Sequence, residues 1–183
     1  MPRNDTWTND DGLIVGYGTH SADNEIMAVI ASEGNRKVVS ARIDLTALED
    51  TDGITAASIS PHSVIIPQGS YITRATVVAT ETVDSAGDAF TLDIGTYDSD
   101  TSSITADDAD GIDADIAQAE LAVGLAVDCN GDLVGGTATV GDGSDSDVVV
   151  VLGFDAAAAT AGEVLLTVEY ITPSTGVETI LTP

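Results

Sequence analysis

Polar and apolar residues alternate through the middle of the chain, and the pattern predicts β-strands. Tyr71–Val83 is rich in Thr and Val and largely alternates, which sets one face on a core and the other in water. Ala89–Thr96 alternates more cleanly, with Phe90, Leu92 and Ile94 on one side and Thr91, Asp93 and Gly95 on the other. The five residues between these strands include Asp84, Ser85, Gly87 and Asp88, turn formers that predict a hairpin loop. Asp147–Phe154 and Glu163–Ile171 read as a second strand pair. The unbroken run Val148–Val151 predicts a strand covered on both faces, or one central to a sandwich.

Shorter strands are expected at Leu13–Tyr17, Met27–Ile30, Lys37–Leu45 and Leu133–Val140, and Ser63–Pro67 reads as a strand edge ended by Pro67. Helix is scarce. Ile112–Leu121 is a candidate, with Ile112, Ile116, Ala119 and Leu121 roughly on one face, while Ala156–Ala161 is too short to stand alone. An α/β fold would need helices between the strands, and they are missing. The expected fold class is therefore all-β: an antiparallel, jelly-roll-like β-sandwich.

The division of the chain follows its cations. Four of the five Lys and Arg residues (Arg3, Arg36, Lys37 and Arg42) fall in residues 1–60, whose strands are short. That segment reads as an amino-terminal arm or small β-subdomain ahead of a sandwich body at 61–183; the competing reading gives it edge strands of the same sandwich. Local positive charge on an anionic body suits docking.

Charge narrows the function further. The chain carries a formal charge of −26 on 183 residues, and from Ala75 onward it has 21 Asp or Glu and no Lys or Arg. Such a surface repels phosphates and anionic membranes, so nucleic acid and membrane drop out as partners. It also repels itself. Screening shortens from about 8 Å at physiological salt to about 3 Å at 1 M, so brine or seawater suits this chain. The excess of Asp over Glu, 23 to 8, agrees with a halophilic or marine origin. With 43% hydrophobic residues the acidity is not that of a disordered chain. The polar start lacks the apolar stretch of a signal peptide, and the apolar run Ile26–Ala31 is far too short to cross a membrane, so the chain reads as a soluble protein made in a cytoplasm.

Reactive chemistry is sparse. Asp98–Asp100, Asp107–Gly111 and Asp128–Asp132 invite calcium or another cation, but none satisfies the twelve-residue loop template, and solvated acidic loops are the simpler reading. His20 and His62 stand far apart with no ligand motif around either. Cys129 is the only cysteine and has no cation near it in sequence to activate it. The nucleophile-elbow pattern is absent, and Gly141–Asp147 lacks the Lys of a phosphate cradle. Paired carboxylates of the glycosidase kind are possible in so acidic a chain, yet Trp7 is its one Trp and sugar sites use aromatic faces. Neither an enzyme nor a cofactor is expected; a binding or structural role remains.

Several segments in order carry a resemblance: Trp7–Gly18, Ala41–Leu48, Ile65–Val77 running into a long strand, Phe90–Thr96, and Thr160–Ile171. Together they resemble the small capsid decoration, or cement, proteins of marine and halophilic tailed viruses. The resemblance implies a jelly-roll-like subunit on the outer surface of an icosahedral head, made in the host cytoplasm, often trimeric, with the major capsid protein and its own copies as partners. It brings no catalytic residues. It does imply that the amino-terminal segment touches the shell, which makes Arg3, Trp7, Arg36, Lys37 and Arg42 the contact candidates. A tail or fibre subunit of the same virus class, and an extracellular adhesin or surface-layer domain, are the alternatives.

Overall fold

The computed structural model describes residues 36–51, 54, 64–98, 106–135, 138–141 and 148–172, with only the backbone at 98, 106 and 107, and the backbone of three earlier strands. In chain order the strands are β1 (Asp5–Thr8), β2 (Ile14–Tyr17), β3 (Val29–Glu33), β4 (Arg36–Asp44), β5 (Glu49–Asp50), β6 (Val64–Ile66) and β7 (Tyr71–Ala79). They continue as β8 (Asp84–Ser85), β9 (Thr91–Asp98), β10 (Ala106–Ala117), β11 (Ala126–Asp128), β12 (Val148–Asp155), β13 (Ala159–Ala161) and β14 (Glu163–Ile171). Two five-stranded sheets dominate. The first runs β10-β9-β12-β5 with β6 also on β12; the second runs β11-β7-β14-β4-β3. Their pairings are antiparallel, apart from the short parallel contact of β12 with β5. The fold is an all-β sandwich, as the alternation predicts.

The two sheets bury their facing sides against each other. Val39, Ala41 and Ile43 of β4, Ile72, Ala75 and Val77 of β7, and Val164, Leu166 and Val168 of β14 form one side of the core. Phe90, with Leu92 and Ile94 of β9 and Val148, Val150 and Leu152 of β12, forms the other. Residues 36–48, read from sequence as part of an arm or subdomain, supply β4 as an inner strand and give Leu45 and Leu48 to the common core. The alternative reading gave this segment edge strands; β4 lies between β14 and β3.

The expected hairpin and the expected second strand pair do not form. β7 pairs with β14 and β11, while β9 pairs with β12 and β10, so each expected pair is split between the layers. The reason lies in the faces. Apolar faces in a sandwich oppose one another across the core, and a turn-rich connection long enough to step between layers satisfies this as well as a hairpin does. Both steps occur together: β8, after β7, pairs with β13, before β14, in a small bridging sheet at one corner.

Two further expectations are corrected, and a third holds. The Ile112–Leu121 helix is instead the end of β10 followed by a 3-10 turn at Gln118–Glu120. Its helical spacing of Ile112 and Ile116 arises because β10 is irregular, with Asp115 at φ 57°. The described residues of the expected Leu133–Val140 strand form no strand; they give a single bridge, Ile72 to Val134, and Leu133 and Val140 are buried from loop positions. Ser63–Pro67 does yield β6, ending before Pro67.

The Val run behaves as its sequence suggests. Val148, Val150 and Leu152 enter the main core, while Val149 and Val151 join Tyr97 in a second cluster on the far side of the first sheet. Ile54 and Ala109 pack against that cluster. The cover comes partly from β10, which advances from Asp108 to Asp113 while β9 moves only from Thr96 to Ile94. The excursion lays Ala109 across β9 so closely that a Cβ on Gly95 would stand 2.1 Å from the Ala109 carbonyl oxygen. Only glycine fits there.

Candidate functional site

The outer face of the second sheet is where the charge pattern changes. Along β4 the side chains of Arg36, Val38, Ser40, Arg42 and Asp44 alternate with the core residues and face out. On β14 the outward set is Glu163, Leu165, Thr167, Glu169 and Ile171. Register places Thr167 opposite Ser40 and Thr76, and Leu165 opposite Arg42 and Val78. The Ser40 and Thr167 hydroxyls are 3.0 Å apart, a cross-strand pair of the kind that steadies a solvated sheet face.

Three guanidiniums stand on this face, each beside a carboxylate of a neighbouring strand. Arg36 pairs with Glu169. Arg42 Nη1 lies 3.1 Å from Glu163 Oε1, which also accepts from the Thr80 hydroxyl at 2.6 Å. Arg74 donates to Asp128 Oδ1 from Nη2 at 2.6 Å and from Nε at 3.2 Å, and Thr76 Oγ1 donates to the same oxygen at 3.2 Å. Hydrogen bonding to Arg74, and then its charge, hold the Asp128 carboxyl below its ordinary value and raise the Arg74 guanidinium above its own. All three arginines remain solvent-exposed, so the pairs cost little to rearrange and their donors stay within reach of a partner. At one end, Tyr71 and Ile171 sit opposite each other, both exposed, next to Arg36.

The first sheet is the reverse. Its strands β9, β10 and β12 carry no Lys or Arg, and β10 reads Ala-Asp-Asp-Ala-Asp-Gly-Ile-Asp-Ala-Asp-Ile-Ala. Asp93 is buried there, accepting from the Thr51 hydroxyl at 3.0 Å and the Asp115 N–H at 2.7 Å. Burial, with Asp93 and Asp110 close by, pushes the Tyr97 phenol up. The molecule therefore has a nearly balanced face and an anionic one.

Of the sequence candidates, Arg36 and Arg42 come together on one face of β4, and Lys37 lies on the opposite side of that strand, half-buried and in register with Tyr170. Trp7 is on β1, in register with Val15; its side chain, and Arg3, lie outside the described residues. Sequence reasoning passed over Arg74, Glu163 and Glu169, and weighed Asp128 only as a possible cation ligand. Arg74 was legible as a polar position in an alternating strand. Its partner Asp128 was not, because β11 is three residues long and pairs across a distance no pattern spans.

No arrangement for catalysis stands out among the described residues. Among the described residues, no three or more His, Cys, Asp or Glu are grouped to hold a metal ion. Cys129 is buried, and burial, with Asp113 beside it, pushes its thiol up to about 12, so it stays protonated and a poor nucleophile. A groove lined by Thr82, Val83, Gln118, Ala119 and Leu121–Val123 has one lining carboxylate, Asp88, and no reactive partner for it.

Two solved chains are similar to this one, and both come from bacteriophage capsids. One belongs to the acidic stable capsid of the Helicobacter pylori bacteriophage KHP30, with a TM-score of 0.47 at 14% identity over 82% of this chain and 95% of that one. The other belongs to the capsid of Ralstonia phage GP4, with a TM-score of 0.42 at 18% identity over 75% of this chain and 86% of that one. No protein-family model matches the chain, and no curated protein does.

Proposed function

We propose that this chain is a virion structural protein that decorates the icosahedral head of a tailed virus and stiffens it by bridging major capsid protein subunits. The observation that carries the reading is the segregation of charge: Arg36, Arg42 and Arg74 share the outer face of one sheet, while the other sheet carries carboxylates alone. A body of net charge −26 meets least repulsion where its charges balance. The cation-bearing face is therefore the docking face, and the anionic sheet points to solvent, keeping particles apart.

The amino-terminal segment, with Arg3 and Trp7, joins the same contact, and copies of the chain assemble as a homotrimer on the shell in a saline environment. A specific interface buries about 1,600 Å² in total, and many symmetric copies act together. Cementing needs no reactive group, only contact area across joints that expansion would otherwise open.

The test is reconstitution. Purified protein added to mature heads lacking it is expected to bind to saturation, and Arg36→Glu with Arg42→Glu is expected to lower occupancy. Normal occupancy for the double variant removes the docking face while leaving decoration standing. Density for the chain in the tail removes decoration itself.

A further inference from the structure

The loop after β11 contains Asn130–Gly131, the only Asn–Gly pair in the sequence. Packing demands its glycine. A Cβ on residue 131 would lie 2.4 Å from the Gly111 carbonyl oxygen and 2.6 Å from the Ile112 carbonyl carbon, so no side chain fits where this loop meets β10. That glycine makes its neighbour labile. With no side chain to shield it, the Gly131 backbone nitrogen can attack the side-chain carbon Cγ of Asn130, and Asn130 is exposed to water. In that reaction the nitrogen loses its proton and bonds to Cγ, the Cγ–nitrogen bond of the side-chain amide breaks, and ammonia leaves with the proton. Water then opens the five-membered imide to aspartate or isoaspartate.

The fold keeps the attacking atom occupied. The Gly131 N–H donates to the Ile112 carbonyl at 2.9 Å, and the Gly131 carbonyl accepts from the Val134 N–H at 2.9 Å. On either side the Cys129 N–H donates to the Ala75 carbonyl at 3.0 Å and the Leu133 N–H to the Gly111 carbonyl at 2.8 Å. The Asn130 N–H itself donates to the carboxylate of Asp113. Ring closure must break the Gly131 bond, take its proton and turn the nitrogen away from β10, and the flanking bonds oppose that turn. Exposure and reactivity therefore part company here: water reaches the side chain, but the nucleophile is held elsewhere.

We propose that Asn130–Gly131 is a fold-guarded deamidation site, silent while this loop is seated on β10 and converted when the junction opens. Its one co-reactant is water. Conversion runs one way. It adds a carboxylate to a loop that already carries Asp128 and Asp132 and faces Asp113. The isoaspartate product also lengthens the backbone by one methylene, between the Cys129 and Leu133 bonds that seat the loop. The converted loop returns to β10 less well, so an opening that reacts is recorded in the covalent chain. Local opening sets the rate, which makes the site a reporter of this junction and not of the whole fold.

Peptide mapping by mass spectrometry, with isoaspartate scored separately, tests this on the full chain at one pH and temperature. Conversion of Asn130 in the folded protein is expected to be at least about tenfold slower than in the same protein unfolded in urea. Leu133→Ala removes a buried side chain next to the junction and is expected to speed conversion severalfold in the folded state. Equal rates in folded and unfolded chains overturn the guard. An unchanged rate in folded Leu133→Ala overturns its placement at this junction. If Leu133→Ala fails to fold, wild type across low urea decides. Conversion there is expected to follow hydrogen exchange at the Gly131 amide; conversion that follows the β14 amides instead overturns the proposal.

Discussion

The two sheets solve the same burial problem and end in opposite surfaces. The second sheet buries one face and leaves the other wet, so β14 reads with clean alternation, and its outer side holds Arg–carboxylate pairs and Thr–Ser contacts. The first sheet is covered on both sides, so β12 reads as a solid Val run, and the strand that covers it is the most acidic in the described chain. A strand pattern thus reports how many faces are covered, and the proposed docking face is the one where charges of both signs meet. The difference also divides the carboxylates: Asp128, beside a guanidinium, is pushed down, and Asp113, buried without one, is pushed up.

Breaking the cover of the first sheet gives the largest effect. Gly95→Val drives a side chain into the Ala109 backbone, and a loss of about 3 kcal/mol is expected from urea unfolding. An unchanged midpoint would mean that β10 does not lie over β9. Leu166→Ala in the second sheet, at 0% exposure, is expected to cost about 3 kcal/mol, whereas its half-buried neighbour Leu165→Ala costs less than about 1 kcal/mol. In β12 that asymmetry disappears: Val150→Ala and Val151→Ala, on opposite faces, each cost about 1.6 kcal/mol for two buried methyl groups. A cheap Val151→Ala would show the second cluster to be solvated.

Charge changes are smaller for folding and larger for docking. Arg36→Ala is expected to change stability by less than about 1 kcal/mol, since its pair with Glu169 is exposed, while lowering head occupancy. Thermal stability of the whole chain is expected to climb with salt, as screening relieves the repulsion of −26 charges; a melting temperature indifferent to salt contradicts this. The smallest signal is the sign of two titrations. By NMR, Asp128 is expected to titrate below ordinary Asp, giving stability present at neutral pH and lost as pH falls through its depressed value, and Asp113 above it, with the opposite dependence.

Much of this was legible in the residues. The long strands β7, β9, β12 and β14 were, because alternation and β-branching act within a single strand; β14 falls at Glu163–Ile171, the expected span. Partnership was not. Asp84–Asp88 carries hairpin chemistry, but its β8 serves a step between layers, a choice made by core faces that lie far apart in sequence. The helical spacing at Ile112 and Ile116 misled because a bulged strand can imitate it. Arg36 and Arg42 were found through their scarcity, but the gathering of Arg74 with them depends on strand order, which no local pattern encodes.

Imaging the chain on mature heads tests the central claim most directly. The expected map places the outer face of the β11-β7-β14-β4-β3 sheet, with Arg36, Arg42 and Arg74, against the capsid shell and β10 toward solvent. A map with the acidic β10 side pressed to the shell, or with the chain absent from the head, would contradict it.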